Sequence, residues 1–256
     1  MKSSKCLSVV FAAMVFAVAM PIIASANCQI ISDYFYEKPF AARFCAQLDT
    51  AATPVTFVAT TPQGIIKTAG PVNTNVLGLA CVSVTWPVGV YELSVPAESD
   101  CPSVAISIFS ENNFCGAQGG GTVLLEEYGV PPNVHQSLEP READFAFIYR
   151  PTSPMNFGVI YHDPDYPLGA IGFIAKSFQT VQTEDETTYE SMEFHGNGKL
   201  TQGTGAPMSV HYNLYVDDDP TDTYFSLRIY DFAGHLLYEN DDCELFEGQN
   251  VVEICT

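Results

Sequence analysis

Apolar and polar residues alternate with period two along much of the chain, the repeat of a strand with one face on a core. Over 208–216, Met208, Val210, Tyr212, Leu214 and Val216 share one face, and Ser209, His211, Asn213 and Tyr215 the other. Over 223–231, Phe225, Leu227 and Ile229 oppose Tyr224, Ser226, Arg228 and Tyr230. The two stretches predict an antiparallel hairpin around the loop 217–222. Leu214 then faces Phe225, Tyr212 faces Leu227 and Val210 faces Ile229 on the core side. Asp231-Phe-Ala-Gly234 predicts a type I turn closed by a left-handed glycine, with a further hairpin behind it. Upstream, shorter strand-like runs cover 54–60, 79–85, 88–95, 103–109 and 122–128. Turn signals separate them at Thr61-Pro-Gln-Gly64, Trp86-Pro-Val-Gly89 and the glycine-rich run 116–121. No stretch has the period of an amphipathic helix. The expected fold class is all-β, as two antiparallel β-sandwich or barrel-like domains.

The first residues follow a different rule. Lys2 and Lys5 precede an apolar run from Leu7 to Met20, and Ala24-Ser-Ala26 closes it. A charged start, an apolar stretch and an Ala-x-Ala ending predict a secretory signal over 1–26, cleaved after Ala26. The chain beyond it divides by composition into a cysteine-containing β domain at 27–128, a proline-rich linker at 129–142 and an acidic β domain at 143–256. Export leaves Cys28, Cys45, Cys81, Cys101, Cys115, Cys243 and Cys255, with no Cys-x-x-Cys pair and no adjoining histidine cluster. That pattern suits disulfides rather than zinc. Cys243 and Cys255, alone in the second half, are expected to pair. The other five give two bridges and one spare thiol, in a pairing that spacing leaves open.

Charge narrows the partners. Asp and Glu number 30 against 10 Lys and Arg, a net charge of −20. A surface this negative repels phosphate backbones and anionic lipid heads, so nucleic acid and membrane insertion are not expected.

Two stretches resemble known families. Pro87-Val-Gly89-Val-Tyr91-Glu-Leu93-Ser-Val95 resembles the Gly-x-Tyr-x-Leu-x-Val strand of transthyretin-like and related immunoglobulin-like modules. Two further segments are Phe194-His-Gly196-Asn-Gly198 and the run from Tyr215-Val-Asp217 through Asp222 and Phe225 to Ile229. Together these resemble the β-rich C-terminal domains of bacterial secreted and adhesin-like surface proteins. That resemblance implies a secreted β module and no catalysis.

Motifs for catalysis are missing from the sequence. It holds no Gly-x-Ser-x-Gly elbow, no His-Glu-x-x-His and no dinucleotide fingerprint. Gly119-Gly-Gly121 lacks the helix and lysine of a phosphate loop and is expected to be a turn. No enzyme activity is expected. Calcium is the candidate cofactor: Asp217, Asp218, Asp219 and Asp222 crowd one loop, and Asp163 and Asp165 another, where clustered carboxylates can supply oxygen ligands. Glu184-Asp-Glu186 is expected to be a solvated loop. The predicted hairpin aligns Tyr215 with Tyr224, Asn213 with Ser226 and His211 with Arg228 on its polar face, with Tyr230 at one end. Tyrosines beside Asn and Arg can stack on sugar rings or peptide groups, so this face is the expected ligand site. The function expected is a secreted, acidic binding or adhesion module for an extracellular glycan or protein. The alternatives are a structural, matrix-associated cation-binding protein and, behind it, an extracellular hydrolase.

Overall fold

The chain is all-β. A computed structural model describes residues 28–33, 35–37, 40–98, 101–109, 116–125, 141–151, 157–185, 190–219, 223–240 and 243–253. Eight strands form a sandwich: β1 (Gln29–Ser32), β2 (Phe35–Glu37), β3 (Ala42–Gln47), β4 (Pro54–Thr60), β5 (Ile66–Asn73), β6 (Leu79–Val84), β7 (Gly89–Ser94) and β8 (Val104–Phe109). Sheet β1-β3-β6 packs on sheet β2-β8-β7-β4-β5, and every pairing is antiparallel except the parallel β2–β8. Phe44 sits between the layers, with ring centroids 6.1 Å from Phe57 and 5.2 Å from Trp86. Cys45–Cys81 bridges directly opposite residues of β3 and β6, and Cys28–Cys101 ties the start of β1 to the approach to β8. Both bridges belong to a non-reducing environment.

The second unit comprises β9 (Gly116–Leu125), β10 (Arg141–Tyr149), β11 (Phe157–Asp163), β12 (Ile171–Ala175), β13 (Thr180–Asp185), β14 (Glu190–Gln202), β15 (Met208–Asp217), β16 (Tyr224–Tyr230), β17 (Leu236–Glu239) and β18 (Cys243–Glu253). Among the described residues, β9-β10-β11-β12-β14-β15-β16-β18 run in a ring that returns to β9, an eight-stranded antiparallel barrel. β13 continues β12 along β14, and β17 extends the wall along β16. A barrel of this size is just wide enough inside for side chains to fill it or for one small ligand. Here Phe145, Phe147, Tyr161, Phe173, Phe194, Tyr212 and Phe225 occupy it. Phe145 and Phe225 stack at 3.9 Å between centroids.

Several expectations change. The glycine run 116–121 is strand, not turn. A Cβ on Gly119 would lie 2.3 Å from Asn250 Oδ1 and 2.5 Å from the Phe147 ring. Gly119 and Gly121 sit directly opposite Phe147 and Phe145, and Gly119 makes room for the Phe147 ring inside the barrel. With β9 in the barrel sheet, residues 122–125 of the run predicted at 122–128 belong with the second half, residues 126–128 lie outside the described residues, and Arg141 and Glu142 open β10 rather than end a linker. Glu184 and Asp185 lie in β13. The β15–β16 hairpin keeps its predicted faces but not its register. Val216 pairs with Phe225, Leu214 with Leu227 and Tyr212 with Ile229, two residues from expectation. Asp217 extends β15, and its Oδ1 accepts the Tyr224 N–H at 2.8 Å, which moves the turn outward. Residues 1–26, 129–140, Cys115, Asp222, Cys255 and the side chain of Cys243 lie outside the described residues, and with them the expected Cys243–Cys255 pairing.

The units meet on the outer face of β10 and β11. Ala146, Ile148 and Ile160 of the barrel pack with Val90 and Ala105 of the sandwich. Gln63 donates to the Phe157 carbonyl at 2.9 Å across the same seam.

Candidate functional site

Three groups of polar side chains stand out, each made by strand alternation. The first is the outer face of β14, β15 and β16. Pairing sets His195, Asn213, Arg228 and Glu239 in one row across four strands. His195 Nδ1 is 2.8 Å from Asn213 Oδ1, and Arg228 Nε is 3.7 Å from Glu239 Oε2. Tyr215 stands beside the row, opposite Ser226, and the pair His211–Tyr230 flanks its other side. His211 meets the exposed Phe232 ring edge-on at 4.5 Å. The expected ligand residues therefore share one half-exposed face. Partners differ from the prediction: Asn213 faces Arg228, and Tyr224 stands diagonally from Tyr215.

The second group lies where the units touch. His162 Nδ1 is 3.1 Å from Asp144 Oδ2, and its Nε2 is 3.4 Å from Glu92 Oε1. Asp144 Oδ2 also accepts the Ala105 N–H, and Ser103 donates to Glu92 at 3.1 Å. Burial alone would lower the His162 imidazole, but the two carboxylates outweigh it and raise it to about 10. The hydrogen bond to His162 holds Glu92 below its ordinary range. An imidazole with both nitrogens turned to carboxylates keeps no lone pair for base catalysis, so this cluster fastens β7 and β8 to β10 and β11.

The third group is inside the barrel, and the sequence expectations took from it only Asp163, as a calcium candidate. Arg141 Nε donates to both Asp163 oxygens, at 3.2 and 3.0 Å. Tyr238 donates to Asp163 Oδ2 at 3.0 Å and shares a short hydrogen bond with Tyr161. The Tyr166 ring lies 5.5 Å from the guanidinium carbon. Burial pushes the Asp163 carboxyl up, against the pull of Arg141 and Tyr238. A signal existed: Arg141 falls in the inward register of Ala143, Phe145 and Phe147, and Asp163 in that of Phe157, Val159 and Tyr161.

The calcium candidates separate. Asp163 is committed to Arg141 and Tyr238. Asp217 accepts from Tyr224 N and from the Tyr215 hydroxyl, the latter at 3.2 Å. Asp218 accepts the Glu190 N–H at 2.9 Å and the Val252 N–H at 3.3 Å. The carbonyl of Asp219, not its carboxylate, takes the Thr223 hydroxyl at 2.8 Å. Asp165 sits in the turn after β11, apart from the other loop. Among the described residues, no group of three or more His, Cys, Asp or Glu gathers to hold a metal ion. Asp217 and Asp218 organise their turn by taking backbone donors. No helix among the described residues is long and apolar enough to cross a membrane.

No family model matches the chain, and no curated protein matches it.

Proposed function

We propose that the protein is a secreted binding module for an extracellular glycan or protein, with its ligand face on the outer wall of the barrel. The observation that carries this reading is the row His195, Asn213, Arg228 and Glu239, half-exposed and in register across four strands, with Tyr215 and Tyr230 on its flanks. Antiparallel strands hold such a row rigid, so little ordering is needed on binding. The tyrosines offer flat amphipathic area, and the amide, imidazole and guanidinium fix orientation. The acidic surface favours an uncharged or basic partner. The two disulfides and the leader-like residues 1–26 support secretion.

The test is a glycan array and an extracellular-protein screen with the exported protein, repeated with Tyr215→Ala combined with Arg228→Ala. The hit should weaken at least tenfold while the melting temperature stays within about 2 °C, as surface changes do. Undiminished binding by a folded double variant would place the ligand elsewhere.

A further inference from the structure

Arg141 holds a pair of unspent donors inside the barrel. Its side chain is 5% exposed, and Nε is taken by Asp163, yet Nη1 and Nη2 are buried and meet no acceptor among the described residues. Buried donors of this kind are rare, because folding removes their water and returns nothing. A ligand site tolerates them when the ligand brings the acceptor.

Arg141 is the first residue of β10 and Asp163 the last of β11, so the pair forms the outermost inward layer at the barrel end carrying the turns 164–170, 203–207 and 231–235. Tyr161, Tyr166 and Tyr238 wall it. Charge selects the ligand. Asp163 already balances the guanidinium, and Asp165 stands close enough to oppose its ionisation, so an anion would add net negative charge to an apolar interior.

We propose that this end of the barrel binds a small uncharged molecule. Its apolar, ring-sized body would pack among the three tyrosines, and its carbonyl or ester oxygens would accept from Nη1 and Nη2 of Arg141. The proposal is independent of the outer-face reading.

The test uses the whole protein with carbon-13 tyrosine, titrated in turn with methyl benzoate, sodium benzoate and ethylbenzene. Methyl benzoate should give saturable shifts of the Tyr161, Tyr166 and Tyr238 signals, with benzoate at least tenfold weaker and ethylbenzene showing no saturation. Arg141→Lys keeps the charge beside Asp163 but loses the paired end-on donors, and should weaken the ester at least tenfold. Arg141→Met with Asp163→Asn should abolish the ester shifts while the melting temperature holds or rises, since replacing a buried ion pair is often neutral or stabilising. A lower melting temperature in a folded double variant would mean the pair is structural and overturn the proposal. So would ethylbenzene binding as tightly as the ester, benzoate binding more tightly, an unweakened Arg141→Lys, or no saturable ester shift in the parent. If the double variant does not fold, Arg141→Lys decides.

Discussion

Single atoms set several of the tolerances in this fold. Gly119 and Gly234 are both essential as glycine but for different reasons. A methyl at Gly119 would strike Asn250, the Phe147 ring and the Gln249 carbonyl, whereas at Gly234 it would meet nothing within 4 Å and only the backbone angle of 88° objects. Gly119→Ala should therefore cost about 2–3 kcal/mol through overpacking, and Gly234→Ala about 1–2 through left-handed strain. Urea unfolding of the two variants measures both, and equal losses would contradict the close approach of ring and strand. Asp217→Ala leaves the Tyr224 N–H without its acceptor and should cost about 1–3 kcal/mol, read the same way. Glycine also explains one misjudged element. The run 116–121 shows no alternation because alternation is carried by side chains, and here the strand's inward side chains belong to its neighbour β10.

At the scale of strands, parity was legible and register was not. Period two places Leu214, Tyr212, Phe225 and Ile229 inward in the predicted and the observed hairpin alike, because a slip of two residues keeps every side chain on its face. What sets the register is Asp217, whose carboxylate binds Tyr224 N and turns a predicted loop residue into strand. The half-exposed polar face was legible for the same reason of parity, while its cross-strand partners changed. Arg141 is unmarked in the sequence and Asp163 reads there as a calcium ligand, because each sits at a strand end, where a charge is ordinarily solvated. Strand against strand, the His162 cluster makes the seam sensitive to pH. A folded imidazole held up near 10 binds its proton more tightly than in the unfolded chain. The gain is complete below about pH 6.5 and drains away as the pH climbs towards 10. Glu92, held low, contributes above its ordinary value near 4.5 and loses that contribution as the pH falls. The melting temperature should decline from pH 7 to 10, and His162→Gln should remove most of that slope. A variant that keeps the full alkaline slope would show that His162 does not carry it.

For the molecule as a whole, the seam between sandwich and barrel decides how it comes apart. Apolar packing of Val90, Ala105, Ala146, Ile148 and Ile160, with the His162 cluster at its edge, couples the two cores. Calorimetry of the oxidised protein should show one transition, and two resolved transitions would mean the seam does not couple them. Cys45→Ala with Cys81→Ala releases a loop with a sequence separation of 36 and should cost about 4 kcal/mol in the loop-entropy model, lowering that single transition. The all-β class and the presence of two bridges among the first five cysteines were legible from composition and spacing. Their pairing was not, since β3 and β6 become neighbours only through tertiary packing. Ring closure carries a further consequence, in time rather than in space. β9 completes the barrel against β18, joining Gly116 to Glu253 across most of the second half of the chain. Contacts this remote in sequence form late and slowly. The sandwich, whose strands end at Phe109, can assemble as soon as those strands have been made, whereas the barrel must wait as an open, edge-bearing sheet for its last strand to arrive. During that interval the nascent protein is most exposed to edge-to-edge aggregation, and the lag between the two halves is what a folding chaperone would meet.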